Sequence, residues 1–215
     1  MVGTVKRDLR AERRVQTERR LVEAASQLFL ERGYAATTLA DVAARAGLAP
    51  RTLYLRFATK ADLLERCIGV AIAGDAEPIG IADRDWIADA MTAPTLDDRI
   101  RKMAAVTAML MGRAGALLAV AEQAAPTEPV IAAAAQAGRN DTRRIVGEFW
   151  RRMDADGLVP PGCDLEWLTE TATLFAHADT YMLLMRTAAW DLATYENWLV
   201  TTWTRLVAGS VAPGA

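Results

Sequence analysis

The residues whose chemistry stands out lie in one short stretch, PRTLYLRF, at residues 50–57. On a helical wheel of about 100° per residue, one arc collects four side chains: Arg51, Thr52, Leu55 and Arg56. Leu53 and Phe57 fall on the opposite arc and can anchor the helix. An arginine can donate two hydrogen bonds to guanine O6 and N7, and a threonine or leucine methyl can contact thymine. The stretch therefore suits the reading of base edges, although a short helix that only caps a bundle has the same pattern.

The elements around this stretch are predicted to hold it as the last helix of a three-helix unit. Apolar residues recur at helical spacing before Gly33, a natural helix stop. Thr38 is a plausible N-cap for a second helix, Gly47 can take the left-handed conformation of a tight turn, and Pro50 suits a first helical position. This order is that of a helix-turn-helix unit, whose second helix enters the major groove.

Residues 33–64, GYAATTLADVAARAGLAPRTLYLRFATKADLL, resemble the DNA-binding domain of the TetR family of transcriptional regulators. The resemblance lies in the Thr-Thr pair, the Val-Ala-x-x-Ala-Gly-Leu run, Thr-Leu-Tyr with a later phenylalanine, and a lysine before an acidic residue and two leucines. It implies a helix-turn-helix at about residues 38–57. The DNA-binding candidates are Thr38, Arg45, Pro50, Arg51, Thr52, Tyr54, Leu55, Arg56 and Lys60.

Within that resemblance, Arg51 and Thr52 are expected to contact bases, and Tyr54 and Lys60 to contact phosphates. The chain departs from the family pattern at three places. Ala49 stands where a capping serine is usual, which weakens the recognition helix by about 1 kcal/mol. Arg56 replaces a common histidine or tyrosine. Ala58 and Thr59 stand where the family usually has a proline or lysine followed by a serine or asparagine. These departures blur the expected operator specificity.

Charge is unevenly distributed along the chain. Residues 1–66 hold 13 Lys/Arg against 8 Asp/Glu, a net +5, and residues 67–215 hold 12 against 19, a net −7. This balance suggests that only the front meets a polyanion. The basic residues between Lys6 and Arg14 fit either an arm that follows DNA or a solvated helix with mixed charge pairs, and Arg19 and Arg20 fit the solvated helix.

The rear of the chain is expected to dimerise through two long helices, at about 164–187 and 191–208. The first is apolar on more than one face, so one face can pack on the chain and the other on a twin. The second has one apolar stripe at helical spacing. The family resemblance implies the same arrangement. The candidate interface residues are Phe175, Met182, Tyr195, Trp198, Leu199, Thr202 and Trp203.

The middle helices are expected, by the resemblance, to surround a pocket for a small, largely apolar effector. The candidate lining residues are Met103, Thr107, Leu110, Met111, Phe149, Trp150, Met153, His177 and Tyr181. A stripe of methionines and aromatics also fits an ordinary core, and the single histidine also fits a hydrogen-bonded core residue. Residues 74–94, rich in Gly, Pro and Asp, are interpreted as a connecting segment.

The composition argues against several other functions. One histidine cannot form a His–His metal pair, no Ser/His/Asp order is evident, and no phosphate-binding G-x-x-x-x-G-K-[ST] occurs, so neither an enzyme nor a cofactor or metal site is expected. Cys67 and Cys163 form no C-x-x-C motif. The start lacks an apolar signal core and no uncharged run reaches the roughly 18 residues of a membrane span, so we expect a cytoplasmic protein without a membrane partner.

These observations predict an all-α chain with a helix-turn-helix domain at residues 1–66 and an effector-binding and dimerisation domain at 67–215. The favoured interpretation is a ligand-responsive repressor that acts as a homodimer on a palindromic operator. The alternative is a small-molecule binding or sequestering protein whose operator specificity is weak or lost.

Overall fold

The computed structural model describes residues 2–74 and 84–210, with side chains from residue 12 onward. The elements of these ranges are helices: α1 Val2–Ala36, α2 Leu39–Arg45, α3 Pro50–Tyr54, α4 Lys60–Ala73, α5 Asp85–Thr92, α6 Leu96–Ala124, α7 Pro129–Ala155, α8 Leu165–Phe175, α9 Ala178–Thr187 and α10 Leu192–Gly209. No strand occurs in the described ranges, and the all-α prediction is confirmed. Most side chains of the predicted basic arm lie outside the described residues.

Side-chain caps begin several of these helices. The caps whose side chains accept a hydrogen bond from the backbone N–H three residues on are Thr38, Thr59, Thr95, Asp164 and Asp191. These bonds satisfy N–H groups that have no partner inside the helix. The predicted cap at Thr38 is confirmed. The helical geometry of α1 also breaks at Gly33, as predicted, with φ of 77°.

The predicted connecting segment at 74–94 is partly wrong, because α5 lies inside it. Ile87, Ala90 and Met91 are buried on one side of this short amphipathic helix. The Gly- and Pro-rich composition masked the periodicity of only eight residues. Residues 75–83 of that segment lie outside the described residues.

The predicted single helix at 164–187 is also wrong, because it is two helices, α8 and α9. His177 has φ −80° and ψ 147°, an extended conformation. Carbonyl groups at the end of α8 accept hydrogen bonds from side chains instead of from backbone N–H groups of a continuing helix. The Tyr195 hydroxyl donates to Phe175 O at 2.7 Å, and Thr180 Oγ1 donates to Leu174 O at 2.6 Å. These bonds stabilise the break without a glycine or proline.

Helix α6 is central and packs against α1, α4, α5, α7, α9 and α10. Its length and composition would allow it to cross a membrane, but 56% of its most apolar window is buried inside the fold, as in the core helix of a soluble protein. Its C-terminal half joins the core of the front helices through Leu117, Val120 and Ala121. The predicted domain boundary at residue 66 falls within α4. Residues on both sides of this boundary belong to one core, which the front helices share with α6.

Candidate nucleic-acid interface and ligand cavity

Helix α3 is anchored on its apolar side. Leu53 is 0% exposed and Phe57 is 7% exposed, and both lie in the core formed with α1, α2 and α4. Pro50 occupies the first turn, as predicted, and Ala49 caps the helix without a side-chain hydrogen bond. The turn continues beyond α3, since the Phe57 N–H donates to Leu53 O at 3.0 Å. Burial of these two anchors fixes which side of α3 faces outward.

The outward side of α3 carries the predicted base-reading residues. Leu55 is 75% exposed and Tyr54 is 57% exposed, Arg51 is exposed, and Thr52 and Arg56 are half-buried. In the described part of the chain, neither Arg51 nor Arg56 forms an ion pair, whereas Arg45 and Arg66 of the front helices do. Their guanidinium groups are therefore available for hydrogen bonds to another molecule.

Arg20 was interpreted from the sequence as part of a solvated helix. In the structure its side chain forms hydrogen bonds with the turn before α3. Its Nη2 donates to Ala46 O at 2.5 Å and approaches Gly47 O at 3.4 Å. Gly47 has φ of 64°, as the tight turn requires. No local pattern could reveal this contact, because 26 residues separate the guanidinium from the carbonyl.

Two predicted DNA-binding residues have partners inside the chain. Thr38 Oγ1 donates to Asp41 Oδ2 at 2.6 Å while it caps α2. Arg45 forms an ion pair with Glu31 at 2.7 Å, and this hydrogen bond to the guanidinium lowers the pKa of the Glu31 carboxyl. Both residues are exposed. Their predicted contacts with DNA would compete with these internal bonds.

Lys60, predicted to contact phosphate, is directed towards the end of α1. Its Nζ donates to Tyr34 O at 2.7 Å and lies 4.1 Å from the centroid of the Tyr34 ring. Burial lowers the pKa of Lys60. The start of α4 is already capped by Thr59 and Asp62, each bonded to the other's backbone N–H. A phosphate contact would require the ammonium group to leave Tyr34.

Tyr34 connects this region to the α6–α7 turn. Burial raises the pKa of Tyr34 to about 12, and the negative charge of Glu128 contributes to the rise. The same Glu128 charge acts on Lys60, where it opposes the effect of burial. Glu128 is the residue that precedes α7. Tyr34, Lys60 and Glu128, called the junction below, therefore bring α1, α4 and α7 together.

A cavity of about 460 Å³ lies between α4, α5, α6, α7 and the break between α8 and α9. Its volume is within the range of small-molecule sites. Its wall includes five of the nine predicted lining residues: Met103, Thr107, Leu110, Met111 and His177. The α7 wall includes the small residues Ala134, Ala135 and Gly138. That alanine-rich run was the overlooked signal, because small residues leave space between helices.

The other four predicted lining residues lie elsewhere. Phe149, Trp150 and Met153 are at most 2% exposed and belong to the core, since the cavity ends at Val146, almost one turn earlier on α7. Phe149 and Trp150 pack edge to face at 5.1 Å between ring centroids. Tyr181 packs against the Tyr195 ring in the same manner.

Charged groups also line the cavity. The acidic groups are Glu65, Glu122, Asp141 and Asp179. Arg139 is the basic one, and it forms an ion pair with Glu122 across α6 and α7. Burial lowers the pKa of His177, so its imidazole is neutral at pH 7. No group of three potential metal-ligating side chains exists among the described residues.

An apolar face covers parts of α8, α9 and α10. Leu174 is 61% exposed and Leu183 is 55% exposed, and α9 has no buried residue along its whole length. Four of the predicted interface residues are half-buried in the single chain and border this face: Phe175, Met182, Trp198 and Thr202.

The remaining predicted interface residues belong to the core of the chain itself. Tyr195, Leu199 and Trp203 are at most 2% exposed, so they cannot meet a partner. Their spacing of four residues places them on the side of α10 that packs against α6. The spacing predicted one apolar stripe on this helix but not whether that stripe faces the chain itself or a partner.

Comparison with known proteins shows a similarity over part of the sequence and a similarity of the whole fold. Residues 21–67 match the model of bacterial regulatory proteins, tetR family. A structure from Mesorhizobium loti MAFF303099, described as a TetR-family transcriptional regulator, is 18% identical and covers 92% of this chain and 98% of its own, with a TM-score of 0.71. One from Syntrophomonas wolfei, described likewise, is 13% identical, covers 93% and 98%, and has a TM-score of 0.71.

A complex of SmeT with triclosan is 19% identical, covers 93% of both chains and has a TM-score of 0.68. No curated protein sequence matches the chain. The identities are low, so the structural matches establish the fold, whereas the sequence match at residues 21–67 identifies the front domain. The front of the chain is therefore similar to the tetR family of bacterial regulatory proteins over residues 21–67, and the whole chain has the fold of structures described as TetR-family transcriptional regulators.

Proposed function

We propose that the protein is a cytoplasmic, ligand-responsive repressor that binds a palindromic operator as a homodimer. The observation that carries this proposal is the outward side of α3, where Arg51 and Arg56 are without ion-pair partners in the described chain. Arg51 and Thr52 would contact base edges, and Tyr54 would contact phosphate. A front with net charge +5 on an acidic chain favours DNA as the partner of that side.

The apolar face on α8, α9 and α10 supports a dimer. Apolar surface of this kind on a soluble protein marks an interaction site, and a helix without any buried residue, such as α9, needs a cover. A two-fold axis through this face would present two copies of α3. Recognition helices of such dimers lie about 34 Å apart, one turn of DNA, which leads to an operator with two inverted half-sites.

The cavity supports regulation by a ligand. Its wall includes Ala61, the residue after Lys60, and Leu64, which lies one turn further along α4. It also includes Val130 and Ile131 of α7, which closely follow Glu128. A ligand that separates α4 from α7 would therefore act on the junction at the base of the DNA-binding domain. Such a ligand would favour a conformer whose α3 helices are wrongly spaced for the operator. SmeT, of similar fold, binds triclosan.

The proposal is tested by selecting duplexes from a random-sequence pool with the full chain and then competing the selected duplex against bulk DNA in gel shifts. A regulator should prefer the selected duplex by about 10³-fold or more over non-specific DNA. The selected sequences should contain an inverted repeat. Equal binding of selected and bulk DNA would contradict the proposal.

The second candidate function is a small-molecule binding or sequestering protein with weak operator specificity. It is favoured by one observation, the absence of a side-chain cap at Ala49, which leaves the start of α3 less stable. In that case the cavity would bind ligand with unchanged affinity in the presence and absence of DNA. A repressor must instead show reciprocal weakening of the two affinities.

A further inference from the structure

We propose that the cavity selects an organic cation: a ligand with an apolar body and one positively charged group. This inference rests on the proposed effector function of the cavity and adds the chemical class of the effector. It is carried by the charges on the cavity wall rather than by its shape.

The apolar part of the cavity sets the body of the ligand. Side chains from α4, α5, α6 and α7 contribute to it, among them Ile68, Ile87, Met103 and Ile131. Thr107, the hydroxyl between them, already donates to Met103 O at 2.8 Å and so offers no free donor there. A flexible or flat hydrocarbon of the size that fits 460 Å³ meets these requirements.

The charged part of the wall is mainly acidic. Four carboxylates face one guanidinium, which leaves three negative charges in excess while His177 is neutral. Asp141 is paired with Arg144 outside the cavity, at 3.2 Å and largely exposed to solvent. Glu65 and Asp179 form no ion pair with any residue that the structure describes. Two carboxylates at the cavity are therefore without a counter-ion among the residues that the structure describes.

The one basic group of the wall is not available to an anion. Arg139 is held by the Glu122 carboxylate, and its second Nη donates to Gln136 Oε1 at 3.0 Å. An anionic ligand would have to displace Glu122, which would then lose its own partner. A cation avoids this cost, because Glu65 or Asp179 can accept its charge. The neutral imidazole of His177 can also accept a hydrogen bond from an ammonium group.

The test compares three probes with the same ten-carbon chain: decyltrimethylammonium, decanol and decanoate, each below its micelle concentration. Binding to the full chain is measured by calorimetry at pH 7. We expect the cation to bind at least about tenfold more tightly than decanoate, since the carboxylates of Glu65 and Asp179 are exposed and each contributes a modest energy. Decanol should lie between the two.

Two variants locate the effect. The double variant Glu65→Gln and Asp179→Asn should reduce the cation-to-decanoate ratio by about tenfold and leave decanol unchanged. The control is Asp154→Asn, which removes an exposed carboxylate of α7 that does not line the cavity, and it should leave all three affinities unchanged. A ratio unaffected by the double variant would overturn the proposal.

The three probes separate this inference from the proposed function. Equal binding of all three, or tighter binding of decanoate, would overturn the cation preference while leaving a ligand cavity. Failure of every probe to bind would overturn the cavity as an effector site together with the preference.

Discussion

The side chains of α3 are the part of the molecule where sequence and structure agree best. The wheel placed Leu53 and Phe57 inward and Arg51 outward, and the structure has them so, because a helical period alone decides these positions. The partners of Lys60 and Arg20 were beyond prediction. Each donates to a backbone carbonyl 26 residues away, which only the assembled fold brings near.

Gly47 allows a prediction about the turn before α3. An alanine here would need a left-handed φ, and its Cβ would lie 3.0 Å from Arg20 Nη2. We expect Gly47→Ala to lower the free energy of unfolding by about 1–2 kcal/mol and to weaken DNA binding. Gly157→Ala is the control, since Gly157 also has a positive φ but nothing within 4 Å of its Cβ position. Gly157→Ala should show strain in thermal unfolding and normal DNA affinity in gel shifts.

Cys67 allows a prediction about pH. Burial raises the pKa of its thiol to about 11, so only about one molecule in a thousand holds the thiolate at pH 8. We expect iodoacetamide to alkylate Cys67 at least about 100-fold more slowly than the half-buried Cys163 in the native protein. Because the folded pKa is raised, stability from this group is present below pH 9 and lost as the pH rises towards 11. Equal native alkylation rates, measured by peptide mass spectrometry, would contradict this burial.

At the scale of elements, helical periodicity predicted the long helices and most of their caps, since these signals are local. Helical periodicity did not predict α5, because a helix of eight residues is too short for an apolar period to stand out. It also did not predict the break between α8 and α9. The bonds that stabilise that break come from Tyr195 and Thr180, and Tyr195 is on another helix. Most of the charges on the cavity wall were not predicted for the same reason, because four helices contribute them.

The uncapped start of α3 provides a prediction at this scale. Ala49 has φ −65° and ψ 140°, the extended conformation of an N-cap residue, but no side-chain acceptor. Ala49→Ser should add about 0.5–1 kcal/mol to the free energy of unfolding. Ala44→Ser, on the exposed side of α2, introduces the same side chain without a cap and should be neutral or slightly destabilising. Denaturant unfolding measures both, and equal effects of the two serines would contradict the capping argument.

For the whole molecule, the sequence could show that α10 and its neighbours have more apolar surface than one core requires. It could not show which side each core helix turns inward, and Tyr195, Leu199 and Trp203 were therefore misplaced. The face that remains, with Leu174, Leu183 and α9, is what a second copy would cover.

A carboxylate on this face tests the dimer. Leu183→Glu would bury an unpaired charge between the two copies and should weaken dimerisation by at least about 100-fold. Leu30→Glu, an exposed leucine of α1 away from this face, is the control and should leave the dimer intact. Sedimentation velocity at micromolar concentration should show a monomer for the first variant only. A monomeric parent protein, or an unchanged dimer in the Leu183 variant, would contradict the proposed interface.

The central claim is that the outward side of α3 reads base edges, and Arg51→Ala tests it most directly. The full-length parent and the variant are each used to select duplexes from the same random pool, and every position of the parent's site is then changed and its affinity measured. The account predicts a loss of about 1–3 kcal/mol of discrimination at one or two base pairs of each half-site. An Arg51→Ala protein that selects the same sequences with the same affinities would contradict it.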